Sequence, residues 1–517
     1  MSLTLGIDLG TSGVKTIVVD ENGTVEASCV HEYPLHRPEV GWAEQDPADW
    51  WQATQQGISD VLADPGVEAT DIEAVGLTGQ MHGSVFLDEA GEVQRPAILW
   101  NDQRTSEQCE TILDTIGEQR LVEIASNPPF EGFTAPKILW VMEHEPDRFE
   151  RTDQILLPKD FIRYRLTEDF ATDVSDASGT LLLNVGERDW SEEILRELGI
   201  PRRLLPDVYE SPEVTGSVSQ RASERTGLPA GTPVVAGAGD NAAGAVGAGV
   251  TGDGDTWGSI GTSGVVFVAT DEERTDPEGR VHTFCHAVPG TWHVMGVMLS
   301  AGGAFSWFSE TFGTLEDRVA ELTGRDSFEL LTEEAASVDP GAEGLLFLPY
   351  LDGERTPHRD ADARGVFFGL STRHDRPHVV RAVLEGVTYG LRDSLRIVRE
   401  LGVEVEQLTA AGGGAKSELW RQIQADVFDA DIVTPRVDEG PAYGSALLAG
   451  VGAGVYDDVE DACERAVDTV DRVEPNERHG RVYDEYYEVY RSLYPALETQ
   501  FQQNMDAITA AEEILER

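Results

Sequence analysis

LTLGIDLGTSGVKTIVVD, residues 3–20, reads as two strands joined by a turn bounded by glycines. Leu3–Leu9 and Val14–Asp20 are apolar runs of strand length, and Gly10-Thr11-Ser12-Gly13 lies between them. Asn22-Gly23 is a strong hairpin signal and starts a third strand, Thr24–Tyr33. Asp46-Pro47 with Asp49 marks a helix start: an N-cap carboxylate, proline in the first turn, and negative charge facing the helix dipole. Trp50, Thr54, Ile58, Val61 and Leu62 keep helical spacing up to Asp64-Pro65. Ile72–Leu77 and Ser84–Leu87 read as a fourth and a fifth strand. Three meandering strands, a crossover helix and a returning strand make an α/β unit.

The signature recurs. IDLGTSGV at 7–14 is echoed by IGTSGV at 260–265, between the strand-like runs Thr256–Ile260 and Val265–Thr270. Matching strand context predicts two similar α/β domains facing across a cleft, with the boundary near residues 250–256. The expected division is 1–250, 251–455 and a helical extension over 456–517. In that extension Tyr483, Tyr486, Tyr487, Tyr490 and Tyr494 are spaced as one packed helix face.

Composition narrows the function. The 517 residues are 40% hydrophobic, enough for sizeable cores, and their length suggests two to four domains at roughly 100–200 residues each. There are 39 Lys+Arg against 94 Asp+Glu, a net charge of −55. Such a surface repels phosphate backbones and anionic lipid, which argues against nucleic-acid and membrane partners. Lys15, Lys137, Lys159 and Lys416 are the only lysines. An acidic, lysine-poor surface suits a salt-rich cytoplasm, where the Debye length is about 3 Å at roughly molar salt. Cys29, Cys109, Cys285 and Cys463 are far apart and suggest no disulfide framework. MSLTLGIDLG has no basic signal region, and no run of ~20 apolar residues free of charge appears, so a cytoplasmic protein is expected.

The Gly10–Gly13 turn lets backbone N–H groups approach an anion, and Thr11, Ser12 and Lys15 add donors and charge. Asp8, just before it, suits Mg²⁺ held through water. Gly261-Thr262-Ser263-Gly264 repeats the turn, and two such turns suit the phosphates of one nucleotide. Gly412-Gly413-Gly414, after an apolar run, suits close approach of backbone to a base and ribose. GxxxxGK[ST] is absent, and the chain does not open with GxGxxG. PVVAGAGDN, 233–241, places Asp240 and Asn241 where a strand meets a helix, at the mouth of an α/β sheet. Asp240 is a candidate base for phosphoryl transfer, and its alternative is a helix cap. Gln80 and His82 in GQMHG (79–83), with Asn101 and Asp102, carry the donors and acceptors a polyol needs, and Trp100 offers a flat face. His282, Cys285, His286 and His293 match no common zinc spacing.

At these residues the sequence resembles the FGGY carbohydrate kinases. The segments include GIDLGTSGVK (6–15), GQMHG (79–83), RPAILWND (95–102), LLPKDF (156–161), SDASGT (175–180), GAGDNAAGAVG (237–247), GTSGV (261–265), LPYLDGERTPH (348–358) and GGGAKSE (412–418). All four lysines fall within such segments. The glycerol branch would show Asn-Gln-Arg in place of GQMHG, and the gluconate branch Ser where Gly83 stands. The resemblance is closest to the D-xylulose-phosphorylating branch. It implies two ribonuclease-H-like (actin-like) domains closing on substrate, with ATP and Mg²⁺ required. It makes Asp240 the base, with Asp8 assisting the ion and phosphate. Met81 and His82 contact the sugar, with Gln80, Trp100, Asn101 and Asn241 nearby. Thr11, Ser12, Lys15, Gly261 and Thr262 contact phosphates, and Gly413 and Gly414 line the adenosine site. The partners it implies are the sugar and ATP, and a homodimer is the assembly left open. Asp352, often Ser in the family, and AGGAFSW (301–307) depart from the pattern, and the second bears on the nucleotide contacts.

Overall fold

The computed structural model describes residues 2–515. The chain forms two compact units. One comprises Met1–Asp253, Ala269–Val294 and Glu439–Asp468; the other comprises Gly254–Val268, Met295–Asp438 and Thr469–Arg517.

The first unit is built on a seven-stranded sheet. Its path runs Val214–Ser217, Pro233–Val235, Ile72–Gly79, Leu3–Leu9, Gly13–Asp20, Val25–Glu32, and Ala238–Gly239 also pairs with Ile72–Gly79. Leu3–Leu9 runs antiparallel to Gly13–Asp20, with Asp8 opposite Lys15, and parallel to Ile72–Gly79. Leu3, Leu5, Ile7, Val14, Val18, Val75 and Leu77 are fully enclosed, so this sheet is a core layer covered on both faces. One cover is the helix Pro47–Leu62, capped by Asp46, whose carboxylate accepts from Ala48 N at 2.9 Å. Val85–Asp88 is a strand as expected, but it pairs with Thr152–Leu156 in a separate two-stranded ribbon.

The second unit repeats the plan. Five strands of its seven-stranded sheet lie in the order Gly264–Thr270, Thr256–Ile260, Gln407–Gly412, Asp431–Pro435, Thr469–Val473. The first two form an antiparallel hairpin, and Gln407–Gly412 runs parallel to Thr256–Ile260. The 25-residue helix Arg376–Glu400 packs within this unit. The tyrosine stripe lies on the helix Glu477–Leu515. Tyr483 bonds Glu385 (2.9 Å), Tyr487 bonds Asp393 (2.6 Å), Tyr490 meets Tyr350 (3.2 Å) and Tyr494 bonds Asp360 (2.9 Å). That is the packed face expected.

Near its C-terminal end the chain returns to the first compact unit. Glu439–Asp468 joins the first unit, and only Thr469 onward joins the second. The cause is the helix Pro441–Gly452, which is apolar and buried over most of its surface. It lies on the strands of the first sheet at Gly6 and Gly76, where an added Cβ would collide with the carbonyls of Ala442 and Ser445. No described helix is long and apolar enough to cross a membrane.

Candidate active site

In the first unit the parallel strands Leu3–Leu9 and Ile72–Gly79 deliver Asp8 and Gln80 to one end of the sheet. The short strand Ala238–Gly239 delivers Asp240 to the same end. Asp240 is the first residue of the helix Asp240–Gly247, and Gly239 is its cap, so the capping alternative does not hold. Asn241 donates to Asp240 Oδ1 twice, from its main-chain N (2.8 Å) and from Nδ2 (3.0 Å). Burial raises the Asp240 pKa to about 6, against the pull of these donors. Burial, and the nearby Asp240 charge, raise Asp8 to about 7, with Lys15 opposing. Asp8 Oδ1 is buried with no hydrogen-bond partner among the described residues. Such an oxygen-only, half-enclosed carboxylate fits a hard cation.

The Gly10–Gly13 turn is closed by Gly10 N donating to Gly13 O at 3.0 Å. Tyr33 braces it: its N–H donates to Ser12 O (3.3 Å) and its hydroxyl to Gly10 O. Ser12 is exposed. Lys15 is half-buried and ion-paired to Glu439, and it also donates to the Glu439 carbonyl at 3.1 Å. Thr11 belongs to a network missed in the sequence. Gln45 Nε2 donates to Thr11 O (2.7 Å), and Trp100 Nε1 donates to Thr11 Oγ1 (3.0 Å). Gln80 Nε2 donates to Gln45 Oε1 (3.0 Å), and Thr11 Oγ1 donates to Gln80 Oε1 (3.4 Å). Both ends of Gln80 are therefore engaged, and it shapes the turn. Trp100 keeps 39% of its surface open. Asn101 Oδ1 is buried without a partner among the described residues, whereas Asp102 is held in place by Ala43 N and Arg104.

Met81 packs over Gly239, one residue before Asp240; a Cβ on Gly239 would lie 3.0 Å from its sulfur. His82 adopts a left-handed backbone, φ 68°, which a non-glycine residue holds only when its surroundings fix it. Four contacts do so. Its Nδ1 lies 2.6 Å from Gly179 O, its ring stacks on Phe133 with centroids 4.7 Å apart, and its carbonyl accepts from Lys137 Nζ (2.8 Å) and Thr134 Oγ1 (3.0 Å). Lys137 also donates to Gly132 O (2.6 Å), and its enclosure lowers its pKa to about 7. Lys159 is equally enclosed. It pairs with Asp160 (2.6 Å), Asp173 (2.9 Å) and Asp176 (3.5 Å). Asp173 Oδ2 accepts from Ser175 Oγ at 2.5 Å, and Ser175 Oγ accepts from Gly239 N at 3.1 Å. This chain ties the buried charges to the peptide that precedes Asp240. Lysine scarcity was the sequence signal for Lys137 and Lys159; nothing local pointed to Gln45, Phe133 or Tyr33.

In the second unit Gly261 N donates to Ser263 O at 3.0 Å, closing its turn one residue earlier than in the first. Thr262 O accepts from Ala301 N and Gly303 N, both at 3.0 Å, so the helix Gly302–Phe312 starts against this turn. Ile260 pairs with Gly412, and Gly414 packs on the Ile260 side chain. Gly261, Thr262, Gly413 and Gly414 are thereby neighbours within that unit. His282, His286 and Cys285 serve packing: His282 Nδ1 meets Asn127 Oδ1 (2.8 Å), His286 Nε2 meets Val250 O (3.0 Å) and Cys285 Sγ meets Val185 O (3.5 Å).

A duplicated hairpin-and-parallel-sheet plan, a glycine turn in each copy and paired carboxylates at one sheet end define an actin-like, ribonuclease-H-like kinase fold. The family model described as "FGGY family of carbohydrate kinases, N-terminal domain" matches residues 3–247, and its C-terminal counterpart matches 257–453. The chain belongs to the FGGY family of carbohydrate kinases. It is 41% identical to a xylulose kinase of Bacillus subtilis over 96% of this chain and 97% of that protein. It is 44% identical to a xylulose kinase of Escherichia coli over 87% of this chain and 90% of that one. The crystal structure of a xylulose kinase from Rhodospirillum rubrum superposes with a TM-score of 0.88 at 30% identity, covering 97% and 100% of the two chains.

Proposed function

We propose that this protein transfers the γ-phosphoryl group of ATP to O5 of D-xylulose, giving xylulose 5-phosphate and ADP. The observation that carries the reading is the Met81–His82 turn packed against Gly239, beside Asp240, in a chain more than 40% identical to xylulose kinases. His82, Met81, Asn101, Asn241 and Trp100 bind the sugar, and Gln80 positions Thr11 and Trp100. Asp240 accepts the O5 proton. Asn241 holds its carboxylate at Oδ1, and burial gives it the basicity a proton acceptor needs near neutral pH. The O5–phosphorus bond forms as the bond to the β,γ-bridging oxygen breaks. The amides of the Gly10–Gly13 turn, Thr11, Ser12 and Lys15 stabilise the charge on the transferring group. Gly261, Thr262, Gly413 and Gly414 take the nucleotide. Asp8 would hold Mg²⁺, which when bound offsets phosphate charge. We also infer that the acidic surface adapts the enzyme to concentrated salt.

The test is coupled ADP release in concentrated KCl with MgATP across D-xylulose, L-xylulose, D-ribulose, L-ribulose, glycerol and gluconate. Strong preference for D-xylulose is expected. Preference for another sugar would overturn the substrate, and nucleotide turnover without any sugar would overturn the kinase reading.

A further inference from the structure

Cys29 stands apart from the other thiols. Cys109, Cys285 and Cys463 are buried, whereas Cys29 is half-exposed on the edge strand Val25–Glu32. His31 follows two residues later, so both side chains leave the same face of the strand. That face meets the helix Pro47–Leu62. Gly57 of the helix lets the strand come close: Cys29 Sγ is 3.4 Å from its carbonyl oxygen, and a Cβ there would run into Thr16. One turn further on, Asp60 Oδ2 lies 2.9 Å from His31 Nε2. The sulfur, the imidazole nitrogen and the carboxylate oxygen all lie within 4.8 Å of one another.

We propose that Cys29, His31 and Asp60 form a binding site for a borderline-soft divalent cation, Zn²⁺ or its mimic Co²⁺, with a fourth position left to water. Tetrahedral bonds of about 2.0–2.3 Å need donors roughly 3.5 Å apart, within reach of small side-chain rotations here. Thiolate with imidazole selects such ions over Mg²⁺, which the oxygen-only Asp8 suits. Binding releases the Cys29 proton to solvent, and His31 ligates through Nε2 with its own proton on Nδ1. The thiolate and the Asp60 carboxylate together balance the 2+ charge. Without the ion, burial and the Asp60 charge push the Cys29 thiol up to about 11, so it is neither a thiolate nor a nucleophile near neutral pH. The strand runs straight into Tyr33, which braces the Gly10–Gly13 turn. An ion here staples the edge strand to the helix and stiffens that turn from behind.

Titrating the full-length protein with Co²⁺ in excess Mg²⁺ tests this. One equivalent should bind with a thiolate-to-cobalt charge-transfer band in the near ultraviolet, be displaced by Zn²⁺, and raise the melting temperature. Cys29→Ser should abolish the band. His31→Ala and Asp60→Asn should each weaken binding more than about tenfold. Asp60 is exposed, so its variant reads the site even if Cys29→Ser folds poorly. The proposal is overturned by the absence of a thiolate band, by a band that survives Cys29→Ser, or by binding indifferent to both His31→Ala and Asp60→Asn.

Discussion

Asp240 and Asp8 share one end of a sheet; burial makes both harder to ionise, and the Asp240 charge adds to the effect on Asp8. That sets two expectations. Asp240→Asn keeps the shape and the Asn241 contacts but cannot accept a proton. Turnover should fall by about two to four orders of magnitude while sugar and nucleotide still bind. Near-normal turnover would remove Asp240 from the role of base. The pH dependence follows from the same residues. With pKa values raised to about 6 and about 7, both carboxylates titrate above the ordinary range. Turnover per unit of free enzyme and sugar (kcat/KM) should rise with pH through 6–7, and a profile flat down to pH 5 would contradict it. Stability runs the other way. A carboxyl with a raised folded pKa binds its proton more tightly folded than unfolded, so stability is present at low pH and lost as pH rises through the folded pKa. Asp8→Asn removes that loss. It should gain about 1–3 kcal/mol at pH 8 over the parent, and nothing near pH 4, as read by urea unfolding.

Elements carry these residues, and two junctions decide how well. Ser175 Oγ accepts the Gly239 N–H and passes the link through Asp173 to Lys159. Ser175→Ala leaves a buried N–H unpaired, at a cost of about 1–3 kcal/mol. Turnover should drop about tenfold with little change in KM, because the residue misplaced is the proposed base, Asp240, and not the proposed sugar contacts. Ser175→Thr, which keeps the hydroxyl, should restore it. The other junction is Gly76 against the Ser445 carbonyl. Gly76→Ala forces the helix Pro441–Gly452 off the sheet and should destabilise the protein by about 3 kcal/mol or more, seen as a lower melting temperature. These junctions also show what sequence could convey. The strands, the first helix, the repeated turn and the tyrosine face follow from periodicity and turn chemistry, which act over a few residues. Asp8, Asp240 and His82 stood out because motifs are local too. Ser175 to Gly239, Gln45 to Thr11 and the return of Glu439–Asp468 to the first unit are contacts between distant residues, and no local pattern encodes them. Gln80 illustrates the difference: its chemistry suggested a sugar ligand, but its hydrogen bonds commit it to neighbouring side chains.

The whole molecule carries an excess of 55 negative charges, and burial sharpens the imbalance at the surface. Lys137 and Lys159 are fully enclosed, so Lys15 and Lys416 are the lysines left to meet solvent. The surface arginines are largely spent on local pairs such as Arg120–Glu193, Arg318–Glu321 and Arg325–Glu333. Exposed pairs of this kind add little stability, and the unpaired carboxylates repel over about 10 Å at roughly 0.1 M salt but only about 3 Å at roughly 1 M. Folding concentrates that charge, so dilute buffer penalises the folded state more than the unfolded chain. Raising KCl from about 0.1 M to about 2 M should therefore raise the melting temperature, by ~3 °C for each ~3 kcal/mol that screening recovers over the whole chain. NaCl at equal ionic strength should give a similar rise. Sucrose, which screens nothing, should not match either salt. Protonating carboxylates toward pH 5 should shrink the salt effect, because it removes the repulsion that salt screens. A melting temperature independent of salt at neutral pH would show that the acidic surface is not a cost the fold bears, and the inferred adaptation would fall with it.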